Sequence, residues 1–419
     1  MFNIRRFALA AGFALCTVLC GPTATAATPV AGNTAPAWNG LALTPPMGYN
    51  NWSYFQCHIN EQVILSQAKA LVSTGLAKKG YDTVTIDDCW MAKTRAQDGA
   101  LVGDPTRFPH GMAWMGEQIH GMGLKFGIYE DAGDETCAKF PGSWNFFLKD
   151  ADTFANWKVD YIKLDGCNLP AVPGKTQEEI YRYTYKAFSD AILHTGRKMV
   201  YSESAPAYFE EMPDDWYVVL GWTPKFGNLW REGADIALGQ ESGTSKWRSL
   251  NYNYRYNVGL AKYAGPGHWN DPDFLLVGDS GLTPDEMQTQ MSLWAVMAAP
   301  LISSTDLTKI SLSALAVLGN TDVIAIDQDP AGVQGHIVQF GHDFEVLAKP
   351  LANGDVAVAL YNKGVVQKKI STTARLVGLK SGSALTLKNL VSKAVITSHD
   401  TIEATVPSHG SVLYRVSAR

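Results

Sequence analysis

From about Leu41 to Asp329 the chain alternates short apolar runs rich in β-formers with longer stretches whose apolar residues recur at helical spacing. The runs at 82–86, 125–129, 161–164, 199–202, 217–221 and 301–304 read as strands. Between them, 61–76 carries Val63, Ile64, Ala68, Leu71 and Val72 near a 3.6-residue period, and 176–193 repeats the pattern. Thr283-Pro284-Asp285-Glu286 reads as a helix start, with Thr283 as N-cap, Pro284 as first helical residue and Glu286 as reciprocal capping partner. A βαβα order implies a parallel sheet, and about eight strands in this length fit a closed (β/α)8 TIM barrel. After Asp329-Pro330-Ala331-Gly332 the period changes to two. Runs at 344–348, 356–361, 384–387 and 411–416, separated by turn signals such as Ala352-Asn353-Gly354, predict a small antiparallel β-sandwich domain. The expected division is 1–26 leader, 27–332 barrel and 333–419 β domain.

The leader follows from Arg5 and Arg6, an apolar run at 7–20 too short for a comfortable membrane span, and the small-residue site Ala24-Thr25-Ala26. It predicts a secreted or periplasmic protein. A lipid anchor on Cys20 is the rival, but Thr17-Val18-Leu19 lack the small residues such processing prefers. No later stretch is apolar enough to span a bilayer. At 419 residues with 46% hydrophobic residues the chain buries a sizeable core, which excludes a disordered or collagen-like polymer. The net charge of −5, without a basic stripe, argues against nucleic acid as partner. Beyond the leader four cysteines remain, Cys57, Cys89, Cys137 and Cys167. In an exported chain they favour disulfides, with three pairings open; zinc is the alternative, and no CxxC or HxxxH spacing supports it.

Acidic residues fall where the predicted barrel strands end, the face on which barrels keep their active sites. Asp87 and Asp88 follow Thr83-Val84-Thr85-Ile86, Asp131 follows Ile128-Tyr129-Glu130, Asp165 follows Tyr161-Ile162-Lys163-Leu164, and Asp271 and Asp273 lie in Trp269-Asn270-Asp271-Pro272-Asp273. Charges just beyond apolar strands need partners or a task. For any one Asp a salt bridge or helix cap suffices; for the whole set that account is weaker. Glycoside hydrolysis by two carboxylates and metal-assisted hydrolysis both use such a rim. A non-catalytic sugar-binding barrel is the third reading. The many aromatic residues and export favour the sugar.

Six motifs in order carry a resemblance. Thr44-Pro45-Pro46-Met47-Gly48-Tyr49-Asn50-Asn51-Trp52, Asp87-Asp88-Cys89-Trp90, Gly127-Ile128-Tyr129 with Thr136-Cys137, Lys163-Leu164-Asp165-Gly166-Cys167, Trp230-Arg231 with Asp235-Ile236, and Trp269-Asn270-Asp271-Pro272-Asp273 together resemble the melibiases. These family 27 glycoside hydrolases are chiefly α-galactosidases and α-N-acetylgalactosaminidases, and the likeness runs from about Leu41 to Arg419. The resemblance implies Asp165 as nucleophile and Asp235 as general acid/base, with Asp87 and Asp88 on the sugar's outer hydroxyls. Tyr129, Lys163, Arg231 and Asp273 match further sugar-contacting positions. It implies the disulfides Cys57–Cys89 and Cys137–Cys167, and a mechanism with no metal and no cofactor. Lys163, two residues from Asp165, shares its face of the strand, where an ammonium favours a charged carboxylate. Trp52, Trp90 and Trp269 are candidates to wall the pocket, with core packing the alternative for each.

Three departures bear on specificity. Tyr49 stands where the family has Trp, so the expected wall contact differs. Phe274 replaces a Met or Leu. In Tyr201-Ser202-Glu203-Ser204-Ala205-Pro206-Ala207-Tyr208, the loop that reads the sugar's 2-substituent, Ser204 and Ala207 match the α-N-acetylgalactosaminidase pattern, although Glu203 would restore an acid after a one-residue shift. Tyr208 completes the predicted contacts. Expected is a retaining exo-α-glycosidase acting on terminal α-D-galactosides of an oligosaccharide or glycoconjugate. α-N-Acetylgalactosaminides are the alternative, and β-L-arabinopyranosides or α-glucans stay open. Monomer and homodimer are both left open.

Overall fold

A computed structural model of the chain describes Gly32 and residues 35–237 and 245–418; the expected leader lies outside them. Eight parallel strands, β1 (Met47–Asn50), β2 (Thr83–Ile86), β3 (Lys125–Asp131), β4 (Tyr161–Asp165), β5 (Val200–Glu203), β6 (Leu229–Arg231), β7 (Trp269–Asp271) and β8 (Leu301–Ser303), form one curled sheet. β1 pairs with both β2 and β8. On the other side Leu275, just past β7, bridges Ser303 of β8, and its N–H donates to Ile302 O at 2.8 Å, which closes the ring. Helices cross between strands, as a right-handed parallel barrel requires. Asn39 and Ala42 meet the strands from below: Asn228 Nδ2 donates to Asn39 Oδ1 and Trp269 Nε1 to Ala42 O.

The capping signals act as written. Thr283 and Glu286 make a reciprocal capping box on the helix Pro284–Val296, and Thr176 with Glu179 does the same for Gln177–His194. One predicted strand is wrong. Residues 217–221 lie in the helix Pro213–Trp222, where Trp216, Val219 and Leu220 are buried while Tyr217 and Val218 are 51% and 50% exposed. That is a helical stripe. Pro213 in the first turn and Asp214 and Asp215 at the positive end of the helix dipole are its start signal. The sixth strand is the three-residue Leu229–Arg231 instead.

The second domain has β9 (His336–Phe340), β10 (Phe344–Pro350), β11 (Val356–Asn362), β12 (Lys368–Thr373), β13 (Ala384–Asn389), β14 (Val395–His399), β15 (Thr401–Val406) and β16 (Ser411–Ala418). Six antiparallel strands in the order β14-β13-β16-β11-β10-β9 face the pair β12-β15. β11 shows why the sandwich docks on the barrel. Val356, Val358 and Leu360 enter the core between its sheets, whereas the alternate residues Ala357, Ala359 and Tyr361 join the barrel's own core.

Both disulfides, Cys57–Cys89 and Cys137–Cys167, are formed, with Cα atoms 5.3 and 5.2 Å apart. The first ties the end of β2 to the loop after β1, the second the β3 loop to the end of β4. Replacing Cys137 and Cys167 together by Ser should lower the unfolding free energy by about 2–5 kcal/mol in a denaturant titration, and the Cys57 and Cys89 pair likewise; an unchanged midpoint would contradict a bracing role.

Candidate active site

The floor of the site is built from inward-facing residues of the barrel strands. Lys163 and Arg231 share a small cavity with Asn50, Thr85, Ser202, Asp271 and Phe274. Lys163 Nζ bonds Asp87 Oδ2 at 2.9 Å, with both side chains buried, so its direct partner is Asp87 rather than Asp165. Asn50 Nδ2 donates to the same Asp87 oxygen at 2.6 Å, and Asp87 N–H donates to Asn51 Oδ1. Burial works against the ammonium of Lys163, but Asp87, Asp165 and Asp235 outweigh it and hold its pKa above the ordinary lysine range. Arg231 follows the same logic, with Asp273, Asp235 and Asp271 overcoming the cost of burial. Its Nη2 lies 3.1 Å from both Asp235 Oδ1 and Asp273 Oδ2.

Asp165 ends β4 as the first partly exposed residue after four buried ones. Its Oδ1 accepts from Tyr208 Oη at 2.6 Å and from Gly166 N–H at 3.0 Å. Asp131, opposite it in register on β3, is fully enclosed. It accepts from Gly133 and Cys167 N–H at 2.7 and 2.9 Å, and burial together with the charge of Asp165 pushes its pKa up to about 8. Gly133 is needed for that turn: a Cβ there would lie 2.3 Å from the Asn168 carbonyl carbon. Asp88 accepts from Cys89 and Ala138 N–H, and burial raises it to about 6 against those bonds. Cys89 and Asp273 hold positive φ of 75° and 74°, a left-handed backbone that costs a non-glycine residue about 1–3 kcal/mol and clusters at functional sites. Asp87 and Asp88 follow the last residue of β2, where the chain leaves the strand, so strand alternation no longer sets the two apart.

Tyr129 lies under Lys163, its ring centroid 5.1 Å from Nζ. Ser204 extends the β4–β5 ladder by donating its N–H to Leu164 O, and the single 3-10 turn Ala205–Phe209 then presents Ala207 and Tyr208. Asp235 is the outermost member, its side chain 51% exposed.

Two sequence expectations need correction. Tyr49 is not a pocket wall. Asn50 points into the barrel, so Tyr49 points out of it by strand alternation and is 0% exposed, its pKa raised by burial and by Asp306 and Asp279. Nor does Glu203 restore an acid: Ser202 faces inward, so Glu203 faces outward, packed over Gly227 and held well above the usual carboxyl range by burial. Of the three tryptophans, Trp90 and Trp269 are buried completely, and Trp52 is partly exposed. Asn50, Asn51, Glu210, Ser249 and Asn253 were not anticipated as site residues; strand alternation from Gly48 marks Asn50, but the others reach the site through tertiary contacts with no local signal.

Carboxylates gathered around one buried lysine and one arginine, at the C-terminal rim of a (β/α)8 barrel, place this chain among the barrel glycoside hydrolases. Within that class it belongs to the melibiase family. Residues 44–329 match the family described as Alpha galactosidase A, and 341–416 its C-terminal β-sandwich domain. The chain is 39% identical to α-galactosidase A of Aspergillus niger over 380 residues, covering 90% of this chain and 70% of that protein. It is 41% identical to human α-galactosidase A over 358 residues, covering 83% and 80%. The α-galactosidase structure from Saccharomyces cerevisiae superposes with a TM-score of 0.81 at 28% identity, over 92% of this chain and 100% of that one. The chain is therefore a glycoside hydrolase of the α-galactosidase type.

The buried carboxyls bias the stability of the fold toward acid pH, with His268 and His336, lowered by burial, acting in the opposite sense. Asp88, Asp273 and Asp131 are raised by burial to about 6, 7 and 8, above the unfolded value near 4. Their contribution to stability is complete below about pH 4 and is lost as pH rises through those values. Asp327, raised to about 8, and Lys349, lowered to about 8, are buried together and oppose each other. The ligand-free protein should melt higher near pH 5 than near pH 8.5 at equal ionic strength; a flat profile or the reverse would contradict this account.

Proposed function

We propose that this protein hydrolyses terminal non-reducing α-D-galactosides with retention of configuration, by double displacement. The observation that carries the proposal is the unlike setting of two carboxylates on one rim: Asp165 ends β4 and is held by Tyr208, and Asp235 stands exposed on Arg231. Asp165 is anchored through one oxygen by Tyr208 and Gly166, and no hydrogen bond among the described residues reaches its Oδ2, the oxygen that would attack the anomeric carbon. Asp235 stands exposed at the mouth, where a leaving alcohol departs and water arrives. In the first step Asp165 displaces the aglycone, forming a glycosyl ester as Asp235 protonates the departing oxygen. In the second, Asp235 takes a proton from water, which attacks the anomeric carbon and releases Asp165. Asp87, Asp88 and Lys163 would hold the outer hydroxyls by charge-assisted hydrogen bonds, with Arg231, Asp273 and Tyr129 completing the floor. The substrate is an oligosaccharide or glycoconjugate: the yeast relative was solved with raffinose. Export rests on the leader; among the described residues no helix is long and apolar enough to cross a membrane.

A second reading concerns the sugar's C2. Ser204, 4% exposed, and Ala207, partly open, are both small side chains, the kind that a pocket for a 2-acetamido group would need. Spare volume rejects a hydroxyl only weakly, so galactosides remain substrates in either case. A β-L-arabinopyranosidase from Geobacillus stearothermophilus, 22% identical with a TM-score of 0.74, shares the fold alone. Values of kcat/KM for nitrophenyl α-galactoside, α-N-acetylgalactosaminide and β-L-arabinopyranoside should rank the first highest; a large preference for either other sugar would replace the assignment.

Asp165→Ala and Asp235→Ala should each cost at least about 100-fold in turnover. With azide present the Asp165→Ala product should be the β-galactosyl azide, since azide replaces the nucleophile, and the Asp235→Ala product the α-anomer, since azide replaces water on the ester. The opposite anomers would exchange the roles, and losses under about tenfold would remove both residues from the chemistry.

A further inference from the structure

Asp235 belongs to a segment, 232–237, with neither helix nor strand. Among the described residues its exposed carboxyl has one hydrogen-bonding partner, Arg231. A general acid must nevertheless be held within hydrogen-bond reach of the leaving oxygen, and a displacement of about 1 Å costs on the order of 100-fold. The flanking backbone supplies that precision. Ala234 N–H donates to Glu210 Oε2 at 2.7 Å, and Ala234 C=O accepts from Asn253 Nδ2 at 2.9 Å. Ile236 N–H donates to Asp273 Oδ2 at 2.8 Å, and Ala237 N–H to Ser249 Oγ at 2.7 Å.

Two of these four side chains, Ser249 and Asn253, lie four residues apart on one helix, Lys246–Asn257, and therefore on one face of it. Asn253 Nδ2 also donates to Pro272 O at 3.0 Å, so a single amide ties the Asp235 segment to the Asp271-Pro272-Asp273 turn. Lys246 anchors the same face through a buried ion pair with Asp279 at 2.8 Å. A second face, at positions 247, 251 and 254, meets the β domain. Trp247 stacks on His409 with centroids 4.7 Å apart, Asn251 accepts from Tyr361 Oη, and Tyr254 Oη donates to Glu345 at 2.6 Å.

The geometry points to Asn253 and Ser249 as positioning residues for Asp235, carried on a helix that the C-terminal β domain braces. The inference rests on the assignment of Asp235 as acid/base. Removing either hydrogen bond frees the Asp235 segment without touching Asp165, so protonation of the leaving group suffers while nucleophilic attack does not. An activated aglycone departs without a proton and a simple alkoxide does not, so the defect appears as a dependence on the leaving group.

The test compares kcat/KM for the 4-nitrophenyl and methyl α-glycosides of the sugar that the wild-type protein turns over. Asp235→Ala, Asn253→Ala, Ser249→Ala and Ser249→Thr are each checked for folding by thermal melt. Asp235→Ala should depress the methyl-to-nitrophenyl ratio most. Asn253→Ala and Ser249→Ala should depress it in the same sense by roughly tenfold, a fraction of a full proton-transfer contribution, and Ser249→Thr, which keeps the hydroxyl acceptor, should restore it. An unchanged ratio in folded Asn253→Ala and Ser249→Ala, alongside a depressed ratio in Asp235→Ala, overturns the positioning role while leaving the acid/base assignment intact. An unchanged ratio in Asp235→Ala removes that assignment, and the positioning role with it. If Asn253→Ala does not fold, the contrast between Ser249→Ala and Ser249→Thr decides.

Discussion

Carboxylates crowded into a low-dielectric pocket repel one another, and every other feature of this site depends on how that repulsion is met. Lys163 and Arg231 meet it from beneath. Both side chains rise from the barrel interior, so neither depends on a loop for its place. Lys163 binds Asp87 directly and lies in the field of Asp165 and Asp235; Arg231 bridges Asp235 and Asp273. The acids left without a cation, Asp88 and Asp131, take backbone N–H donors and raised pKa values instead.

On this floor the two candidate reacting groups are supported in different ways. Asp165 ends a strand and is gripped by Tyr208, which arrives on a short turn from the neighbouring strand. Asp235 stands on irregular chain whose peptide groups are held by side chains from three other segments. The contrast suits the tasks. A nucleophile moves along one line toward one carbon, and strand rigidity serves it. An acid/base must meet both a departing alcohol and an entering water, and an exposed loop serves that, provided distant contacts fix it.

The sequence shows the barrel because parallel strands buried on both faces leave apolar runs, and because acids at their ends have no place in a core. Asp87, Asp88 and Asp165 could be found for that reason alone. Asp235 could not, since it follows no strand that periodicity reveals; β6 is three residues long, and the apolar run mistaken for it, 217–221, is a helical turn whose start at Pro213 was the clearer signal. Only the motif order located Asp235. Tyr49 was misplaced because a motif fixes neighbours in sequence but not the side of the strand each one takes; the inward residue is Asn50. In the β domain, β10, β11, β13 and β16 were legible from alternation, while the polar β12 and the partner β15 that covers it were not. Ser249 and Asn253 carry no local mark, because their partners are backbone groups brought to them by the fold.

The central claim is that Asp165 becomes covalently bonded to the sugar. A fluorinated galactosyl fluoride, which forms the glycosyl ester quickly and hydrolyses it slowly, tests this by mass spectrometry of the proteolysed protein. The account predicts one added sugar per chain, on the peptide containing Asp165 and lost when Asp165 is replaced by Ala. A label on any other carboxylate, or turnover with inversion and no trapped ester, would contradict it.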